Sequence, residues 1–280
     1  VDNLSKIIDQ KIEKESDLKS KDEKCPDCGA ALWKTYNIFG SDRLVRVKCP
    51  CEMKEYRKRH ELDEAKEKQA RIDALIRNSL MDSTFRQKTF EKWQYNKGSA
   101  AMYQLGIRYA ENFKECKKKG LGLLIHGEPG NGKTYLAASI ANALLKKNVP
   151  TVCVSINSLL SRIQQTYNKW GKEAEQDVIK GLCNADLLII DDLGTEKGSD
   201  WSKSTIYNII DSRYRSNLPL VITTNLRIDP QETNGILTEK YEKRTEDRIL
   251  EKCTPILNSS KSIRLDEAKR NTDLLKKILY

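Results

Sequence analysis

The second half of the chain predicts an α/β fold, a parallel sheet flanked by helices. Three observations predict it. From residue 121 onward, short apolar runs at 121–126, 151–155, 186–191, 219–224, 253–257 and 262–265 alternate with helical patterns. Strands separated by helices pair in parallel and are covered on both faces. A glycine-rich stretch, Gly127 to Gly132, stands between the first strand and an Ala/Leu-rich helix over 135–147. Asp191 and Asp192 end an apolar run, and parallel sheets bind ligands at the C-terminal ends of their strands.

Gly127-Glu128-Pro129-Gly130-Asn131-Gly132-Lys133-Thr134 fits G-x-x-x-x-G-K-[ST], a phosphate loop. Glycines let the backbone N–H groups approach and wrap a polyphosphate. Lys133 would reach the β- and γ-phosphates, and Thr134 would give its hydroxyl to Mg²⁺. The helix that begins at Tyr135 supplies the N-terminus such a loop needs. ATP with Mg²⁺ is the expected ligand, and Gly127 through Tyr135 are its candidate binding residues.

Asp186-Leu187-Leu188-Ile189-Ile190-Asp191-Asp192 reads as a buried strand with two terminal carboxylates. Asp191 would hold magnesium, and Asp192 would orient or deprotonate the attacking water. Leu220 to Thr224 is a further strand ending at Asn225, which would bond a γ-phosphate or the lytic water, turn chemistry being the other reading. Arg244 and Arg248 share a helix face. They reach a neighbouring subunit's phosphates or pair with Glu242, Glu246 or Asp247.

The first half is different. Residues 1–24 read as an amphipathic helix with Leu4, Ile7, Ile8 and Ile12 on one stripe, which packs on its own domain or on a partner. Cys25-Pro26-Asp27-Cys28 and Cys49-Pro50-Cys51 flank a predicted hairpin, Trp33–Phe39 and Arg43–Lys48. Four cysteines in two tight pairs suit a closed tetrahedral Zn²⁺ site, giving a zinc-ribbon-like module; a redox dithiol or a disulfide staple are the alternatives. Residues 52–80 are a charged helix whose Lys54, Arg57, Lys58 and Arg59 form a solvated face or a nucleic-acid contact, the first being favoured. Phe85, Phe90, Trp93 and Tyr95 anchor this linker, and some border the adenine pocket. A helix over 101–119 ends in lysines and Gly120. The expected domains are 1–51, a linker over 52–81, and 82–280.

Net charge is +10, from 50 Lys and Arg against 40 Asp and Glu, a weak sign of a polyanionic partner. No run of 18 apolar residues exists, and the first 24 residues hold no apolar signal core, so no membrane contact is expected. The remaining four of the eight cysteines are scattered. A cytoplasmic, reduced setting is expected.

GEPGNGKTYLAASIANALL, LLIIDDLG, VITTNL and YEKRTEDRIL, in this order, resemble the AAA+ P-loop ATPase domain of bacterial and phage replicative helicase loaders (DnaC/DnaI type) over roughly residues 82–265. Transposition helper ATPases of the IstB type share these motifs. The resemblance implies ATP hydrolysis and self-association into an AAA+ oligomer. It also implies a hexameric DNA helicase as partner, single-stranded DNA as second partner, and residues 1–51 as the helicase adaptor. It makes Arg248 the arginine finger supplied in trans and Arg264, in Ser262-Ile263-Arg264, the cis sensor of the γ-phosphate. It places Tyr167, Lys169, Ser199 and Trp201 against single-stranded DNA, where stacking and positive charge bind without reading sequence. Packing within the subunit is the other reading of Tyr167 and Trp201.

Overall fold

The computed structural model describes residues 23–38, 40–76, 83–95, 98–170, 172–228 and 236–279. The stripe expected over 1–24 lies almost wholly outside them. Contacts divide the chain into two units, Val1–Glu64 and Ala65–Tyr280. In the first, β1 (Trp33–Ile38) and β2 (Ser41–Arg46) form an antiparallel hairpin, followed by helix α1 (Pro50–Ile76). β2 starts at Ser41, two residues earlier than the pattern predicts. The cause is a tight turn: Gly40, at φ +82°, donates its N–H to Asn37 Oδ1 at 3.1 Å, and Asn37 Nδ2 donates to Asp42 Oδ1 at 3.0 Å. α1 begins at Pro50, so Cys51 stands in its first turn, with Pro where its missing N–H costs nothing. Lys54, Arg57, Lys58 and Arg59 are exposed.

The second unit takes in α1 from Ala65 onward and continues with α2 (Ser83–Arg86) and a 3₁₀ turn at Phe90–Lys92. α3 (Ala100–Glu111) and α4 (Phe113–Lys119) replace the single helix expected over 101–119. Asn112 breaks it by turning its amide back onto the Arg108 carbonyl at 2.8 Å. Gly120 ends α4 at φ +66°, as a left-handed cap. Then come β3 (Gly122–His126), α5 (Lys133–Lys146), β4 (Thr151–Ser155), α6 (Ile156–Trp170), α7 (Lys172–Asn184), β5 (Leu187–Leu193), α8 (Asp200–Arg215) and β6 (Leu220–Thr224). α9 (Ile236–Tyr241), α10 (Lys243–Lys252), β7 (Cys253–Leu257) and α11 (Ile263–Leu279) follow. The strand expected at 262–265 is therefore the start of a helix. Ser-Ile-Arg-Leu alternates like a strand, but the helix-forming run Asp266 to Arg270 continues it, and Ile263 bonds the loop carbonyl of Gly130 instead of a sheet edge.

The five-stranded sheet is parallel throughout, in the order β4-β5-β6-β3-β7. Alternation along each strand feeds two apolar layers. Leu124, Val152, Val154, Leu188, Ile190, Leu220 and Ile222 face α6, α7 and α8; Leu123, Ile125, Cys153, Leu187, Ile189 and Val221 face α5 and α3. Each such aliphatic side chain contributes about 1.5–3 kcal/mol by leaving water. β6 lies between β3 and β5, so Asn225 emerges between the glycine loop and the two aspartates.

At the opposite end of the sheet, Arg213 of α8 is 1% exposed. Its guanidinium donates to the carbonyls of Leu182, Cys183, Ala185, Asp186 and Pro219 at 2.5–3.4 Å. Burial lowers its pKa to about 10, still far above neutrality. The Asp186 carboxylate, expected only as the start of a strand, bridges Lys68 and Lys117, each at 2.6 Å, and Gln69 accepts the Thr151 N–H at 2.8 Å. These contacts fix the C-terminal half of α1 to the lower rim of the sheet.

Candidate functional site

The loop between β3 and α5 takes its shape from what packs on it. Gly127 has φ +140°, and a Cβ there would stand 2.3 Å from the Asn258 carbonyl. At Gly130, with φ +82°, a Cβ would stand 2.4 Å from Ser262 Oγ. Asn131 and Asn258 exchange side-chain to backbone bonds at 2.6 and 2.9 Å, and the Ile263 N–H donates to Gly130 O at 2.9 Å. Asn258 has no signal in the sequence; its partner is 127 residues away.

Lys133 is 4% exposed. Its ammonium donates to the carbonyls of Gly127 and Glu128 at 2.8 Å and to Asn131 Oδ1 at 3.2 Å. Desolvation lowers its pKa, opposed by Asp192, Asp191 and Glu128. Lys133, Thr134 and Tyr135 line a cavity of about 520 Å³ with Pro129 to Gly132, and Asp192, Asn225, Arg264 and Glu267 complete that side. This is the size of a small-molecule site. The opposite side comes from the segment ahead of α3: Lys88, Lys92, Trp93, Gln94 and Gly98. Trp93 stands edge-on to Tyr135 at 5.3 Å. Of the four aromatics expected near an adenine pocket, Phe85, Phe90, Trp93 and Tyr95, Trp93 is the one that lines this cavity. Lys88 and Lys92 were missed, since isolated lysines among aromatic residues carry no distinguishing pattern.

The two aspartates part company. β5 runs on to Leu193, two residues beyond the predicted end, through an irregularity in its pairing with β6. Asp192 sits there at φ +56° and turns into the cavity, and its N–H donates to Thr223 Oγ1 at 2.9 Å. Asp191 is 2% exposed and accepts the Thr223 hydroxyl at 2.6 Å. Burial raises its pKa to about 6; the Thr223 and Thr134 hydroxyls oppose the rise, while Asp192 adds to it. A carboxyl raised above its ordinary value contributes most to stability below that ordinary value, and the contribution is lost as pH rises through about 6. Asp191→Asn should therefore be more stable than the wild-type chain near pH 8, without nucleotide and magnesium, by on the order of 3 kcal/mol, and should melt at a higher temperature. The advantage should fade as pH falls toward 4. Equal melting temperatures across that range would contradict the burial of an ionised group.

Arg248 does not line this cavity. It lies on α10 against α8, 2.9 Å from Asp211 and 4.7 Å from the Tyr207 ring centroid. Arg244 pairs with Glu242 at 3.0 Å and covers the other contact to Tyr207 at 4.3 Å. Glu246 and Asp247 pair with Lys243 instead. Ser199 caps α8, its hydroxyl accepting the Ser202 N–H at 3.2 Å, and Trp201 is 38% exposed in the first turn of that helix. Tyr167 and Lys169 lie on α6, their side chains outside the described set.

In the first unit, the sulfurs of Cys25, Cys28, Cys49 and Cys51 all lie within 4.8 Å of one another. Closest approaches are 2.9 Å for Cys49–Cys51, 3.4 Å for Cys25–Cys51 and 3.5 Å for Cys28–Cys51. Backbone N–H groups of Cys28 and then Asp27 lower the Cys25 thiol pKa to about 7, as a knuckle turn does for a ligand thiolate. The donor set and spacing fit one tetrahedral ion. Among the described residues, no helix is long and apolar enough to cross a membrane.

Three kinds of likeness bear on this site. The replicative helicase loader DnaC of Buchnera aphidicola (subspecies Baizongia pistaciae) is 28% identical over 162 residues, 58% of this chain and 65% of that protein. The DnaC of Escherichia coli K12 is 33% identical over 106 residues, 38% of this chain and 43% of that one. The chain thus spans between about two fifths and two thirds of the length of these curated relatives. Among solved structures, the DnaC helicase loader superposes with a TM-score of 0.53 at 24% identity, over 63% of this chain and 99% of that one. DnaI does so with 0.51 at 27%, over 63% and 94%. The fold is therefore that of an AAA+ P-loop ATPase, whose nucleotide chemistry uses magnesium. A family model matches residues 52–271, which span the glycine loop, the aspartate strand and every cavity-lining residue named above, and by that match the chain belongs to the IstB-like ATP binding proteins.

Proposed function

We propose that the chain is an ATP-dependent loader of a replicative hexameric DNA helicase onto single-stranded DNA. The observation that carries this is the meeting of Lys133, Asp192, Asn225 and Arg264 around one cavity. The names of the relatives support the biological setting. Lys133 and the loop amides hold the β- and γ-phosphates. Thr134 and Asp191 are the residues for magnesium, which when bound neutralises charge on the phosphate oxygens. Asp192 takes the proton of the attacking water, and Asn225 orients that water or the γ-phosphate. Arg264 senses the γ-phosphate in cis. Arg248 leaves Asp211 to serve as the finger in a neighbouring copy's site, so turnover requires self-association. Cys25, Cys28, Cys49 and Cys51 hold a structural zinc ion, and residues 1–51 grip the helicase. Tyr167, Lys169, Ser199 and Trp201 track the DNA strand; Ser199 does so with its hydroxyl already engaged as a helix cap.

The family match favours a second reading, an IstB-like transposition helper that binds double-stranded DNA. The test is retention of the host hexameric helicase by the full-length chain, with ATP turnover measured alone, with single-stranded DNA and with duplex. Helicase retention and stimulation by single strands are expected. Stimulation by duplex alone, with no helicase retained, would replace the first reading with the second.

A further inference from the structure

We propose that Glu196 is a positioning residue, one that ties the Asp192 turn to the helix pair carrying Arg248. The inference rests on the role of Asp192 given above. Glu196 does not line the nucleotide cavity, yet its side chain is 2% exposed. A buried carboxylate is costly unless its oxygens are satisfied. Here Gly194 N–H donates to Oε2 at 2.9 Å, the Tyr241 hydroxyl donates to Oε1, and the Lys240 ammonium lies 3.8 Å from Oε1. Lys240 also donates to the Gly194 carbonyl. Both backbone polar groups of Gly194 are thus held, directly or through Glu196, by α9. Tyr241 is 3% exposed, and burial with the adjacent carboxylate keeps its hydroxyl a donor.

The turn needs such support. Asp192 at φ +56° and Gly194 at φ +104° are both left-handed, and for Asp192 that conformation persists only where surroundings impose it. On its other side the Thr195 hydroxyl donates to Asp192 O at 2.8 Å and accepts from Asn157 Nδ2 at 3.0 Å. α9 in turn is joined to α10 by the Thr238 hydroxyl on Glu246, a 4% exposed carboxylate. α10 bears Arg248. A run of buried and half-buried polar contacts therefore leads from the turn that activates water in this copy, through α9, to Glu246 on α10, the helix that also carries the arginine offered to the next.

Three variants test this in the full-length chain: Glu196→Ala, Glu196→Gln and Tyr241→Phe, the last removing one bond while keeping the packing. ATP affinity should stay within about threefold of wild type, because none of these groups borders the nucleotide. Turnover should fall about 30-fold in Glu196→Ala and severalfold in Tyr241→Phe, since small displacements of a reacting group cost that much, and Glu196→Gln should recover most of it. Hydrogen exchange across residues 236–252 should respond to a non-hydrolysable ATP analogue in the wild-type chain and lose that response in Glu196→Ala. Unchanged turnover with an unchanged exchange response overturns the proposal. So does a parallel loss of affinity, turnover and melting temperature in Tyr241→Phe, which would make the cluster merely structural. If the wild-type chain binds the analogue but turns over no ATP, the hydrolysis reading fails instead, and the exchange comparison alone decides the coupling.

Discussion

Lys133→Ala should lower ATP affinity at least 100-fold while leaving the α/β unit folded. The ammonium is buried and points at oxygens on three sides, the carbonyls of Gly127 and Glu128 and the amide of Asn131. Phosphate oxygens are stronger acceptors than these, because the bond is then assisted by charge on both partners. A charge-assisted bond contributes roughly 1.5–3 kcal/mol, and losing two of them is a change of roughly 10²–10⁴ in affinity. Alanine is a good residue for the first turn of α5, and the stem of Lys133 supports no apolar layer, so melting should change little. Calorimetric titration with ATP and magnesium checks it. Wild-type affinity in a folded Lys133→Ala chain would remove the cavity from the nucleotide reading.

The second large effect concerns the four cysteines. The apolar cluster of that module consists of Leu32, Trp33, Cys25 and Cys49, with Ala30, Leu44 and Cys51 packed against it. Three of its seven members are the thiols themselves. So few side chains cannot offset the ordering entropy of some thirty residues. The free energy of metal binding, about 10–16 kcal/mol in comparable small modules, would be the folding free energy. Stripping zinc with a strong chelator should unfold the hairpin, seen as loss of its amide protection and a change in Trp33 emission. ATP affinity of the second unit should be unaffected. A hairpin that keeps its protection in metal-free buffer would show that the cluster folds without an ion and reopen the disulfide and dithiol readings.

Much of this was legible because the chemistry constrains the local chain. The loop from Gly127 to Thr134 must follow a strand and open a helix, so its eight residues fixed three elements at once. β3, β4, β5 and β6 were readable because both faces of the sheet are buried, so each strand carries an unbroken apolar run: Leu123–Ile125, Val152–Val154, Leu187–Ile190 and Leu220–Ile222. The misreadings share a cause. Residues 262–265 alternate by composition, but a backbone bond to Gly130 decides their conformation. The bulge that carries Asp192 past the expected strand end depends on Thr223, 31 residues on. Asn112 breaks a helix through its own side chain, a competition that residue type alone does not settle. The pairing of Arg248 with Asp211 joins residues 37 positions apart, where local charge pointed to Glu242, Glu246 or Asp247; Arg244 does pair with Glu242.

The clamp made by Arg213 carries a consequence for where motion can occur. A guanidinium spreads its donors across a plane, so one side chain gathers carbonyls from a helix end and from the approaches to two strands. Lysine, a single point of charge, could not replace it. The lower edge of the sheet is thereby pinned, and whatever shape change accompanies nucleotide exchange is left to the rim where its loops lie.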